Sequence, residues 1–301
     1  MKLNVGIVGY GNLGRAVEKK IRAGHDFNLV AIFSKRDLPG VINYDDVENY
    51  KGKIDLLFLC GGSQNELEKQ GLRLIKNFNI VDSYDNHARL KTYITKLDKL
   101  SKQNGKVALC SFGWDPGLFS FMRALFDGLG FKPYTFWGKG LSQGHTQAIK
   151  NIPGVKDAIQ FTVPSIKDIE KIKNGEKVKE GKNLHHRECY VVAAKEDRDQ
   201  VKKRIISMPD YFEGYKTTVH FVGQNKLDSL KTFAHKGQVI SASNTINFSL
   251  NLKSNPDFTA GVITSFARAA ANLIKNEKHG AYTIFDLPIS SILKRDKFEY
   301  L

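Results

Sequence analysis

No apolar run in the 301 residues approaches the roughly 18 that a membrane span requires, so no membrane partner is expected. Cysteine is scarce. The three residues, Cys60, Cys110 and Cys189, are odd in number and scattered, which implies neither a disulfide framework nor a zinc site, and no metal is expected. The chain has no internal repeat, no low-complexity tract and no GxSxG elbow, the last of which argues against a Ser-His-Asp hydrolase. A strand-like run begins almost at the N-terminus and leaves no room for a signal peptide, so a cytoplasmic protein is expected. Acidic residues number 31 against 46 Lys and Arg, a formal charge of +15. The surplus is mostly Lys spread along amphipathic helices, without a clustered basic and aromatic stripe, so a solvated surface is expected and not a nucleic-acid face. Such a field does attract small anions, a phosphorylated cofactor or a dicarboxylate among them. With 41% hydrophobic and 26% charged residues, the chain reads as globular and long enough for two domains.

What is present begins with Val5-Gly-Ile-Val-Gly9-Tyr10-Gly11-Asn12-Leu13-Gly14, an apolar strand that runs into a GxGxxG turn and then an amphipathic helix. Gly9 permits the tight turn, Gly11 lets the backbone approach a pyrophosphate, and Gly14 lets the helix pack close to the strand. The pyrophosphate then sits on the helix N-terminus, where unpaired N–H groups and the helix dipole favour an anion. A second apolar strand, Leu29 to Phe33, follows at βαβ distance and ends in Ser34-Lys35-Arg36. An NAD-selective fold places an acid there for the ribose 2′-hydroxyl; two cations and a hydroxyl suit a 2′-phosphate, so the cofactor is expected to be NADP. The alternative for this stretch is a solvated basic loop.

The alternation continues. Ile54 to Cys60 is a buried strand ending in Gly61-Gly62-Ser63, Glu66 to Asn77 a helix, and Asn79 to Asp82 a strand ending in Ser83-Tyr84-Asp85-Asn86-His87. Leu90 to Gln103 is helical, and Lys106 to Cys110 is a strand leading to Trp114-Asp115-Pro116-Gly117. This pattern predicts an α/β fold, a Rossmann-type doubly wound parallel sheet with its ligand beyond the carboxyl ends of the strands. The loops carrying Gly9 to Gly14, Ser34 to Arg36, Cys60 to Ser63 and Asp82 to Tyr84 form the expected cofactor set. From about residue 131 the strands alternate apolar and polar residues: 134–138, 158–163, 188–193, 217–222 and 245–252. They predict a second, α+β domain with a mixed or antiparallel sheet, one face buried and the other lining a substrate pocket or a subunit contact. Lysine-rich helix-plus-loop segments are expected over 166–182 and 196–208, a long Ala-rich helix over 258–276 and a last strand over 281–285. The domains are accordingly 1–115, dinucleotide-binding and completed by about 256–301, and 116–255, for substrate binding and dimerisation.

Five motifs occur together: Gly9-Tyr-Gly-Asn-Leu-Gly14, Asp82-Ser-Tyr-Asp-Asn-His87, Gly113-Trp-Asp-Pro-Gly117, Phe136-Trp-Gly-Lys-Gly-Leu-Ser-Gln-Gly-His145 and Met208-Pro-Asp-Tyr-Phe-Glu-Gly-Tyr215. With these in order through nearly its whole length, the chain resembles the meso-diaminopimelate D-dehydrogenases. The resemblance implies an NADP-dependent homodimer that oxidatively deaminates the D-centre of meso-2,6-diaminopimelate to L-2-amino-6-oxopimelate, which cyclises to tetrahydrodipicolinate. Carried onto matching positions, it implies that Asp85 and Asp115 meet the D-centre, Trp114, Phe136 and Trp137 form a wall, and Ser142, Gln143 and Gly144 close the loop. Thr162, Arg187, His235 and Asn255 are implied to hold the distal L-centre. Lys35 departs from the family's first Arg at that place and lacks its bidentate fork. The stretch after Gly237 is shorter than the family's and lacks its glycine-bearing turn.

The residues themselves leave alternatives open. An acid pair such as Asp85 and Asp115 answers an ammonium, but Asp85 also suits an Asx-turn and Asp115 a helix cap before Pro116. Arg187 can clamp a carboxylate bidentately or lie in an exposed basic loop. A lone His such as His145 or His235, and the Trp114, Phe136 and Trp137 set, are as readily core or surface residues. Two other functions compete: an NADP-dependent reductase or dehydrogenase of another aspartate-pathway metabolite, and a non-catalytic NADP sensor that keeps the glycine turn but not the polar pocket.

Overall fold

The computed structural model describes residues 2–62, 66–232, 234–242 and 246–301. The expected strand at the start is β1 (Leu3–Val8), followed by α1 (Asn12–Ala23), β2 (Phe27–Ser34), a short β3 (Ile42–Asn43) and β4 (Leu56–Leu59). Then come α2 (Leu67–Leu74), β5 (Asn79–Asp82), α3 (Leu90–Gln103), β6 (Val107–Leu109) and α4 (Leu118–Gly128). The strands are short and almost wholly buried, as a sheet covered by helices on both faces requires.

The next stretch supplies β7 (Pro133–Trp137), β8 (Gly140–Leu141), α5 (Gln143–Lys150), β9 (Val155–Pro164), α6 (Ile166–Lys173) and β10 (His185–Ala193). It continues with α7 (Arg198–Ile206), β11 (Lys216–Phe221), α8 (Gln224–Ser229), β12 (His235–Ser241) and β13 (Asn247–Leu252). The chain ends with α9 (Asn255–Lys275) and β14 (Gly280–Tyr282).

Two compact units result. The first comprises residues 1–121 with 256–301, the second residues 122–255. In the first, seven parallel strands run in the order β14-β6-β5-β4-β1-β2-β3, the doubly wound Rossmann arrangement. Alternate residues of β1 feed two cores. Val5 and Ile7 pack with Val17 and Ile21 of α1 and Ala260, Ile263 and Ala267 of α9, while Val8 joins Leu67 and Leu74 of α2 and Tyr93 and Leu97 of α3.

The second unit bears out the mixed or antiparallel strands expected there, but divides them between two sheets. It holds two sheets, β11-β10-β9-β8 and β13-β12-β7, and the β10–β11 pair is parallel. Sequence periodicity reports that a strand is half-buried but not which partner it takes, so direction and sheet membership were beyond it. Strand β12 was not anticipated, nor were α4 and α5. Thr245, the first residue of the expected 245–252 strand, and residues 243 and 244 of the shortened 237–247 region lie outside the described residues.

Candidate active site

Every strand of the first unit that carries an expected cofactor residue delivers it at its carboxyl end. Gly9 follows β1 with φ +94°, and a Cβ there would lie 2.9 Å from the backbone of Cys60 and Gly61. A Cβ on Gly14 would collide with the carbonyl oxygen of Gly9, whereas one on Gly11 would meet nothing within 4 Å. The three glycines therefore serve as the fingerprint demands: a left-handed turn, open backbone for a ligand, and a tight helix-to-turn contact. Gly11 stands at the N-cap of α1, no side chain caps the first turn, and no acid lies in it. Those amides are left for an anion, so the site fits a dinucleotide pyrophosphate.

At the end of β2, the buried Ser34 hydroxyl accepts the Arg36 N–H at 3.0 Å and shapes the turn. Arg36 reaches back to donate from Nη2 to the Tyr10 carbonyl at 2.6 Å. Lys35 instead pairs with Glu66, 3.1 Å away, and Glu66 also accepts the Gly62 N–H at 3.3 Å. The Ser34–Arg36 turn carries no acid, although Asp37 follows it; Lys35 receives the Glu66 carboxylate through space, and Arg36 is the cation of the turn that makes no ion pair among the described residues. Ser63 lies outside the described residues.

Cys60 and the ring of Tyr84 are buried in the two cores of this unit, so their side chains serve packing. Asp82 was expected beside the cofactor; its carboxylate is instead turned wholly inward. One oxygen accepts the N–H groups of Tyr84 at 3.0 Å and Ser111 at 2.8 Å, and the other accepts the Tyr93 hydroxyl at 2.6 Å. Burial pushes its carboxyl above the usual range, while these three donors pull it back. Asp85 is exposed three residues on, and Asp115 and Trp114 are half-buried after β6. Asp82 Oδ1 makes an Asx-type turn with the Tyr84 N–H, ahead of the one read at Asp85, and α4 begins at Leu118, three residues beyond Asp115.

The second unit gathers a different set. Arg187 on β10 stands directly opposite Thr162 on β9, and its Nη1 donates to the Thr162 hydroxyl. The guanidinium is 8% exposed, lies 4.2 Å from the centroid of the Tyr215 ring, and has no carboxylate in salt-bridge range among the described residues; its Nε finds no partner. Burial lowers its pKa while Tyr215 pulls it back up, and no carboxylate neutralises the side chain among the described residues. Gly140 pairs with Thr162 and would, with a Cβ, press on the His235 ring at 3.0 Å, which sets His235 beside the same strands. Burial holds His235 down to about 4, so it is neutral.

Trp137 and Phe136 separate. Neighbouring residues of a strand face opposite sides, and Phe136, 1% exposed, packs with Tyr134, Ile172, Leu184 and Ile240, so it belongs to the core and not to a wall. Trp137 remains half-buried, its N–H donated to His185 Nε2 at 2.8 Å and its ring 4.9 Å from that imidazole. Ser142, Gln143 and Gly144 are not a closing loop: Ser142 caps α5 and Gln143 and Gly144 form its first turn. The Ser142 hydroxyl also meets His145 Nδ1 at 2.7 Å. Asn255 is the first residue of α9. Tyr215 and His185 were missed. Tyr215 closes a quoted motif to which no role was attached, and His185 lies outside every motif quoted.

Among the described residues no group of three or more His, Cys, Asp or Glu could hold a metal ion, and no helix is long and apolar enough to cross a membrane. Residues 113–254 match the diaminopimelic acid dehydrogenase C-terminal domain family. Over 95% of its length the chain is 43% identical to the meso-diaminopimelate D-dehydrogenase of Ureibacillus thermosphaericus, 94% of which is covered. Among solved structures it is similar to the Corynebacterium glutamicum DAP dehydrogenase in complex with DAP, at 38% identity and a TM-score of 0.93, covering 99% of this chain and 98% of that one. It is also similar to an engineered D-amino acid dehydrogenase bound to NADP+, at 36% identity and a TM-score of 0.89 over the same shares. The Rossmann sheet, the glycine turn and the strand-borne Arg187 thus lie in a chain that belongs to the meso-diaminopimelate D-dehydrogenase family.

Proposed function

We propose that this chain oxidatively deaminates the D-centre of meso-2,6-diaminopimelate with NADP, reversibly, in lysine and cell-wall precursor metabolism. The observation that carries the substrate is Arg187, a buried guanidinium without a carboxylate among the described residues. A buried cation of this kind is costly unless an anion completes it, and a planar fork over an aromatic ring is suited to a carboxylate. The chemistry NADP would supply when bound is acceptance of a hydride from the D-centre carbon; water then adds to the imine carbon and ammonia leaves, giving L-2-amino-6-oxopimelate, which loses water as it closes to tetrahydrodipicolinate.

The chain's own residues bind and orient. The Gly9 to Gly14 turn and Arg36 hold the pyrophosphate and the 2′-phosphate. Asp85 and Asp115 answer the D-centre ammonium, so that the C–H is held at near-attack geometry, with Trp114 and Trp137 as apolar walls. Arg187 and Thr162 take the distal carboxylate, and the neutral His235 offers a hydrogen bond beside them. In this reading residues 1–115 with 256–301 bind the dinucleotide, and residues 116–255 bind substrate and dimerise. The enzyme acts in the cytoplasm as a homodimer, which sedimentation at micromolar concentration checks.

The test is NADPH formation with the meso, LL and DD isomers of diaminopimelate. Turnover of the meso isomer is expected, because the distal set demands an L-centre while the D-centre is oxidised. Activity confined to an unrelated hydroxy acid points to another aspartate-pathway metabolite, NADP binding without turnover of any amine points to a sensor, and either result overturns the proposal.

A further inference from the structure

The two acid-bearing loops of the first unit leave adjacent strands, β5 and β6, and one side chain ties both. Asp82, the last residue of β5, is fully buried. Its Oδ1 accepts Tyr84 N–H at 3.0 Å, one residue before Asp85, and Ser111 N–H at 2.8 Å, four residues before Asp115. Its Oδ2 is held by the Tyr93 hydroxyl at 2.6 Å, and its own carbonyl accepts the Phe112 N–H at 2.9 Å. Ser111 is also one of the few non-glycine residues in the left-handed region, with φ 63°. That conformation costs on the order of 1 kcal/mol and persists where surroundings fix it; here Asp82 holds its amide.

A carboxylate buried this completely would be replaced by an apolar side chain with little loss if filling space were its only task. Three donors converging on it make it a clamp whose geometry passes directly to its neighbours in sequence. In this arrangement Asp82 accepts at both oxygens, with the Tyr93 hydroxyl as the donor to Oδ2. We infer that Asp82 is a positioning residue: through the amides of Tyr84 and Ser111 it sets the Asp85 loop and the Trp114–Asp115 loop in one fixed register. The inference rests on the substrate roles proposed for Asp85 and Asp115, and it adds a group that touches neither substrate nor cofactor.

The test compares Asp82→Ala, Asp82→Asn and Tyr93→Phe in the full-length protein, by diaminopimelate kinetics, NADP affinity and amide hydrogen exchange without substrate. For Asp82→Ala, kcat is expected to fall by roughly 10- to 100-fold, as a displacement of catalytic groups by about 1 Å does, with NADP Kd nearly unchanged. Exchange should rise in both 83–85 and 111–115 and stay as in wild type over 9–14. Asp82→Asn keeps one oxygen for both amides and should recover most of the kcat. A role in stability alone would lower Tm and leave kcat per folded enzyme intact, and that result overturns the inference, as does an Asn variant no better than Ala. Should the Ala variant not fold, Tyr93→Phe decides: faster exchange in both segments with a few-fold loss of kcat supports the clamp, and wild-type behaviour overturns it. If the wild type does not oxidise diaminopimelate at all, the functional proposal fails, and the paired exchange response by itself still supports or overturns the clamp.

Discussion

The two units hold their functional groups by opposite means. In the first, the cofactor turn is made of backbone: Gly9, Gly11 and Gly14 act through the absence of side chains, and Lys35, Arg36 and Asp85 are exposed on loops. In the second, Arg187 and Thr162 are buried side chains facing each other across an antiparallel strand pair, with Tyr215 against the guanidinium. A pyrophosphate is common to many reactions and a generic amide cradle is enough for it. A particular stereocentre needs a fixed charge at a fixed place, which rigid strands supply better than loops do.

The largest expected effect tests the rigid side. Arg187→Ala removes a buried, hydrogen-bonded charge, and loss of about 2–5 kcal/mol should raise KM for meso-diaminopimelate by roughly 30-fold or more, with kcat changed less. NADP affinity should not move, and a parallel loss of NADP binding in the same titration would break the contrast between the units. Asp115→Ala comes next: one charge-assisted contact of about 1.5–3 kcal/mol should lower kcat/KM some tenfold to a hundredfold, chiefly through kcat. An equal rise in KM alone would return Asp115 to simple binding. Arg36→Ala should weaken NADP by about tenfold, near the low end of the charge-assisted range because the site is exposed, and leave NAD almost unaffected. The ratio of the two dissociation constants reads this directly, and loss of both alike would make the loop a solvated turn.

The last effect is on stability and not on activity, and it belongs to the second unit. His145 is held down to about 3, first by burial and then by Arg187; His185 is at about 4 for the same causes, and His235 at about 4 through burial. Unfolding returns each to about 6.5, so between roughly pH 6.5 and 4 the unfolded state binds more protons and stability falls with acidification. Tm should decline steadily from pH 7 to 5, and the decline should shrink in His185→Phe, which keeps an aromatic ring beside Trp137 but does not titrate. A flat profile would show that these imidazoles are less enclosed than their packing implies.

Legibility followed the same division. The glycine fingerprint is a local signal, because each glycine's role is fixed by its spacing, and the Ser34 to Arg36 turn comes at a set distance from it. The Arg187–Thr162 contact spans 25 residues and depends on strand register, which no periodicity encodes. It was reached only through the family resemblance. Strand parity alone could have separated Phe136 from Trp137, since adjacent residues cannot line one wall. Glu66 beside Lys35 and Asp82 beneath two loops were not legible, because a charge's partner is chosen in space; strand β12 was hidden by Lys236 and Gly237, which interrupt its alternation.

The sheet of the first unit is closed only by the return of the chain, with α9 covering one face and β14 pairing with β6. On a ribosome, residues 122–255 emerge as an unbroken block whose strands find every partner within it. The parallel sheet has no such independence. Val5, Ile7 and Leu109 share their core with Ala260, Ile263 and Phe266, which lie about 150 residues or more further along the chain. The inserted unit thus contains all the strand partners its sheets need, whereas the sheet behind the glycine turn is completed only by elements that follow it in the chain.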